Sequence, residues 1–149
     1  MKYDGLLLFS DAQAITSAAA STNILDLQTT TRQMGVGNEL YVVTIVDVAF
    51  TDAGSNSTLS RVLETDTADS FGSATTAQTL KTIPALAAVG DVFVDKLSPF
   101  TTAERYLRVQ YTPNNGDLTT GAVTTFITTT PHLWTKYAKG YTISSANQF

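Results

Sequence analysis

The sequence contains no cysteine, a single histidine (His132) and only nine basic residues. Without cysteine there is neither a disulfide framework nor a thiolate metal site. One histidine cannot build a multi-histidine metal centre or supply a catalytic triad with partners to spare. The basic residues are scattered and the net charge is −4, so no cationic stripe is available for phosphates and nucleic acid is not an expected partner. Apolar runs such as Leu6–Phe9 and Leu40–Val43 fall far short of the ~20 residues that span a bilayer. Asp4 and Asp11 bracket an N-terminal apolar stretch too short for a signal peptide. The expected product is soluble, made in a cytoplasm and free of cofactors.

Charge of either sign is also scarce: 15% of residues are charged, against about 25% in typical soluble domains. Threonine takes the polar positions instead, at about one residue in six. That choice suits exposed strand faces and leaves few charges to oppose docking on another protein. At 149 residues the chain is read as one domain, residues 1–149, large enough to bury roughly two-thirds of its unfolded surface.

The strand signals are strongest in the second half. In Glu104–Gln110 and Tyr111, residues Leu107, Val109 and Tyr111 alternate with Tyr106, Arg108 and Gln110, the period of a half-buried strand. Pro113-Asn114-Asn115-Gly116-Asp117 then breaks the pattern. Asn-Gly is favoured where two turn residues take positive φ, so the segment predicts a turn leading to a second strand over Ala122–Thr130. These two strands are expected to pair within a larger sheet.

Glu39–Phe50 carries Leu40, Val42, Val46, Val48 and Phe50 on one face and Tyr41, Val43, Ile45 and Ala49 on the other. A strand apolar on both sides is expected to be covered on both, within the domain or by a partner. Asp52–Ser57 reads as a turn and Thr58–Thr65 as the next strand, with Leu59 and Leu63 on one side. A further pair is expected around Leu80–Leu86 and Val92–Leu97, with Pro84 marking an edge. Near the N-terminus, Leu6–Phe9 and Asn23–Leu27 read as short strands, with Ile24 and Leu25 as candidate buried positions. The tail, residues 131–149, has no strand period but holds Trp134, Tyr137, Tyr141 and Phe149 with Lys136 and Lys139 between them. Strands and turn signals at these spacings predict an all-β sandwich or barrel.

Chemistry-bearing residues form no convincing active site. His132, beside Pro131, is weighed as a structural or contact residue. Asp47 interrupts an apolar strand; a raised pKa would make it a catalytic candidate, but pairing with Arg61 or Arg108, or facing a second subunit, is the favoured reading. Asp66 with Asp69, or Asp91 with Asp95, resembles a glycosidase pair in composition only, since nothing sets two carboxyls across a cleft. The loop Asp52–Asn56 lacks the ligand alternation of an EF-hand.

Two blocks together carry a family resemblance. Residues 3–16, YDGLLLFSDAQAIT, followed by STNILDL, and the later ELYVVTIVDVAFT with ERYLRVQYT, resemble the Bbp16-like capsid cement proteins of tailed bacteriophages. The resemblance implies a jelly-roll β-sandwich with extended N- and C-terminal segments, on the outer surface of an HK97-like head. There it would bridge neighbouring major capsid proteins in the virion, after synthesis in the bacterial host cytoplasm. It implies no enzyme activity. Within that reading the expected capsid contacts are Tyr3, Leu7, Phe9, Trp134, Tyr137, Tyr141 and Phe149, the tail acting as an arm. Tyr41, Asp47 and Arg108 are expected in self-association, as a dimer or else a trimer. The rival readings are a carbohydrate-binding sandwich on the virion surface, with Trp134 and Tyr137 as its platform, and a small hydrolase.

Overall fold

The computed structural model describes residues 7–27, 39–98 and 104–131. Among them the chain forms nine strands and no α-helix. These are β1 (Leu8–Ala14), β2 (Ala19–Ala20), β3 (Leu25–Asp26), β4 (Tyr41–Thr51), β5 (Thr58–Asp66), β6 (Thr75–Ile83), β7 (Val92–Lys96), β8 (Tyr106–Asn114) and β9 (Thr120–Thr128).

Two antiparallel sheets result. One runs β1-β9-β4-β7; the other runs β2-β8-β5-β6, with β3 continuing along β8 beyond β2. Consecutive strands mostly sit in opposite sheets, the arrangement of a jelly-roll-like sandwich. Only β5 and β6 are sequence neighbours that pair as a hairpin.

The expected local faces are present. On β8, Leu107, Val109 and Tyr111 are fully buried while Tyr106, Arg108 and Gln110 lie half-exposed. On β5, Leu59, Arg61, Leu63 and Thr65 point inward. The core joins these to Phe9, Val42, Val46, Phe50, Val123 and Ile127 of the opposing sheet.

The expected partners are not all present. β8 and β9 do not pair; Asn115 (φ 67°) and Gly116 (φ 112°) take the positive φ expected of them, but the turn passes between sheets. The pair expected around Pro84 is likewise divided, β6 at an edge of one sheet and β7 at an edge of the other. Turn chemistry specifies a reversal of the chain; it does not say whether the next strand pairs or crosses the core.

β4 shows a second departure. Its register against β9 runs Val46 to Val123, Val48 to Ala122 and Thr51 to Thr120, so two bulges interrupt the ladder. Each bulge adds a residue and shifts the alternation. Val48, expected on the inner face, is 47% exposed, and Phe50 returns to the core. The ring of Phe50 packs so closely on Gly121 that a Cβ there would lie 2.7 Å from it. Ile24 is also outside, at 41% exposure, while Leu25 is buried as expected.

Both sides of the sandwich are laced shut. Between β6 and β7, Gln78 Nε2 donates to Lys96 O, and the Lys81 amide to Asp95 Oδ1, each at 2.8 Å. Opposite, Gln13 Nε2 donates to Ala20 O at 2.8 Å and the Asn23 amide to Phe9 O at 2.9 Å. Strand edges that meet this way are poor templates for a strand added from another chain.

Candidate functional site

Two features stand out from the apolar packing: a row of polar groups inside the sandwich, and a cluster of apolar groups outside it. The row starts at Ser10, whose Oγ lies 2.8 Å from Tyr111 OH. Tyr111 donates to Thr125 Oγ1 at 2.9 Å, and Thr125 bonds Thr44 Oγ1 at 2.9 Å. Arg61 Nη1 donates to Thr44 at 2.7 Å and Arg61 Nη2 to Asp95 Oδ2 at 2.9 Å. Arg61 also donates through Nε and Nη2 to Lys81 O.

Strand register explains the alignment. Ser10 and Thr44 both oppose Thr125 in one sheet, and Arg61 opposes Tyr111 in the other. Arg61 has no exposed surface and Asp95 is 6% exposed. Burial pulls the guanidinium below its ordinary value while Asp95 opposes that shift, and an arginine stays protonated regardless. Burial pushes the Tyr111 phenol up, against its hydrogen bonds with Ser10 and Thr125, so it remains neutral. Every polar side-chain atom of this row has a partner. The row faces the interior, so its chemistry is structural: it fixes how one sheet sits on the other.

Most of the acidic residues singled out from sequence are also committed, while Asp69 is exposed. Asp95 pairs with Arg61, and Asp91 Oδ2 accepts the Ala88 amide at 2.8 Å. Asp66 accepts the amides of Ala68 (3.1 Å) and Ser73 (2.8 Å), which hold its carboxyl below the usual range. Asp52 accepts the amides of Gly54 and Asn56. Burial would raise the Asp52 carboxyl, but its hydrogen bonds outweigh that and hold it low. Asp47 does not pair with Arg61 or Arg108. It accepts from Thr124 Oγ1 at 2.6 Å, because alternation with inward-facing Val46 sets it on the outer face, away from Arg61.

Arg108 makes a cross-strand ion pair with Glu64 at 2.8 Å and lies over the ring of Phe71, 4.3 Å from its centroid. Tyr41 bonds Glu39, which pairs with Lys96. Phe9, expected at a docking surface, is instead wholly inside the core, because β1 pairs beside β9 in one sheet with Phe9 facing inward; Leu7 packs half-buried against that core. Tyr3, His132, Trp134, Tyr137, Tyr141 and Phe149 lie outside the described residues.

The outer cluster was not anticipated from sequence. Among the described residues four large apolar side chains are exposed, and three of them, Val48, Leu86 and Val89, lie on β4 and on the connection fastened along its edge. The connection 84–91 between β6 and β7 does not loop away. It runs along the edge of β4 beyond the end of β7. The Val46 amide donates to Asp91 O at 2.9 Å, the Gly90 amide to Val46 O at 2.7 Å, and the Phe50 amide to Ala87 O at 2.9 Å. Val48 is therefore flanked by the two points at which the loop is fastened. Leu86 adopts φ 57° and Gly90 φ 81° to follow this path. A left-handed leucine costs roughly 1–2 kcal/mol. Leu86 nevertheless stays 54% exposed. The sequence did carry a signal: Ala85–Val89 is an apolar run without strand period, bounded by Pro84 and Gly90.

Compared with known proteins, the chain matches the family described as Bbp16 over residues 9–127. That span runs from β1 into β9, so it covers the whole sandwich and stops short of the tail. No curated protein matches the chain.

Proposed function

Because the chain belongs to the Bbp16 family, we propose that it is a structural protein of a phage virion and, more closely, a capsid cement or decoration protein. The observation that carries this reading is the match itself, which takes in every strand of the sandwich. The architecture supports it. The polar row inside the sandwich is fully paired, the sheet edges are laced, and three of the four large apolar residues exposed among those described lie on β4 and on the connection fastened along its edge. A protein so built offers a rigid surface rather than a reaction chamber.

The proposed partner is the major capsid protein on the outside of the assembled head. A protein that binds only the mature lattice stabilises it by mass action. Bridging two capsid subunits, or self-associating as a dimer on a symmetry axis, would multiply modest single-site affinities. No enzymatic activity is proposed.

The test is to purify virions and count copies. The reading expects this chain on the heads in near-equal number to the major capsid protein, and expects heads lacking it to break at lower temperature. Its absence from purified virions would refute the proposal.

A further inference from the structure

Resting on that reading, we infer that the sandwich docks by the end bearing Val48, Leu86 and Val89, and that its partner presents an apolar socket rimmed by lysine or arginine. The apolar part of the inference comes from exposure without reward. Val48, Leu86 and Val89 are 47%, 54% and 62% exposed, and a strained backbone holds Leu86 there. Five hydrogen bonds restrain the loop that carries them: three to β4, and two between Ala88 and Asp91. A preformed knob loses little conformational entropy on binding. Clustered apolar surface of this kind marks contact sites.

The cationic part comes from the surrounding loops. At this end lie the connections 15–18, 52–57, 84–91 and 115–119. They contain Asp52, Asp91 and Asp117, and neither lysine, arginine nor histidine. Asp52 and Asp91 are held as hydrogen-bond acceptors by backbone amides, and Asp117 is exposed. A second copy of the chain bringing the same end to a two-fold contact would set these carboxylates against each other, which disfavours self-docking here. A basic surface has no such conflict.

The loop connections at this end are also tied to one another. The Leu118 amide donates to Thr16 O at 2.9 Å, the Thr119 amide to Thr51 O at 2.7 Å, and Ser57 Oγ to Gly116 O at 3.0 Å. The knob therefore stands on a rigid platform.

The experiment uses full-length protein and heads assembled from the cognate major capsid protein without it. The test variant is Leu86→Asn with Val89→Ser; asparagine accepts the left-handed conformation, so the fold is not disturbed. Ile24→Ser, an exposed apolar residue elsewhere, is the control. The double variant is expected to melt no lower than wild type, keep its oligomeric state and lose at least tenfold in head affinity, with the control unchanged. Asp117→Lys is expected to weaken binding severalfold and flatten its salt dependence. Binding by the double variant equal to wild type would overturn the inference while leaving the cement reading intact. A change in oligomeric state in place of head binding would assign the knob to a second copy and overturn it too. An unaltered Asp117→Lys would refute the cationic rim. Wild-type protein that fails to bind heads would bring down the cement reading and this inference with it.

Discussion

The interior row and the outer knob invert the usual placement of side chains. Arg61, Asp95, Thr44, Thr125 and Tyr111 are polar and buried; Val48, Leu86 and Val89 are apolar and exposed. Burial alone would flag both as anomalies. What separates them is satisfaction. Each polar group of the row finds its partner within the chain, whereas the knob's side chains find water. The first pattern is complete as it stands and belongs to folding; the second is complete only when something covers it.

Changes in the row are expected to damage stability most. Arg61→Met leaves Asp95 buried without its cation, a loss of about 3–5 kcal/mol for a broken buried pair. Denaturant unfolding should show it, and adding Asp95→Asn should cost less than the sum of the two single changes. Tyr111→Phe removes a hydroxyl held between Ser10 and Thr125 and should cost about 1–2 kcal/mol. If the row serves folding alone, native protein of either variant still docks as wild type does.

Surface pairs come next. Arg108 pairs with Glu64 in a half-buried setting and stacks on Phe71, so Arg108→Ala should cost about 1 kcal/mol. Arg105 pairs with Asp26 where both side chains are 41% exposed, and Arg105→Ala should cost under about 0.5 kcal/mol. Equal thermal shifts from the two would contradict the difference in burial. The smallest effect concerns pH. Amide donors hold Asp66 below its ordinary value, so its contribution is intact above an unfolded value of about 3.9. It is lost as pH falls from there through the lowered folded value. Asp66→Asn should therefore unfold with a weaker acid dependence in that range, as read from melting temperature against pH.

Much of this was legible before the structure, and the division is physical. Face assignment is local: the alternation of Leu107, Val109 and Tyr111 against Tyr106, Arg108 and Gln110 is carried by the strand itself. The positive φ of Asn115 and Gly116 is local as well. Partnership is not local. Nothing in Pro113–Asp117 distinguishes a hairpin from a passage between sheets, so the pairing of β8 with β9 was misread. Arg61 and Asp95 lie 34 residues apart and meet only because β5 and β7 face each other across the core. The bulges in β4 defeated the period that placed Val48 inside. The edge to which residues 87–91 are fastened is left open because β7 ends opposite Ile45; Leu86, at the end of an expected strand, and Val89, beyond it, carry no period that marks them as exposed. The expected capsid contact at Phe9 failed for a simpler reason: an apolar residue near a terminus can belong to the core.

Amide hydrogen exchange, measured on the free protein and on the protein bound to heads, tests the contrast most directly. Peptides covering residues 84–91 and 46–50 should gain protection on binding, while those covering Arg61, Asp95, Thr125 and Tyr111 should be slow in both states and unchanged. Protection gained elsewhere, with residues 84–91 exchanging as fast as in the free protein, would contradict the account.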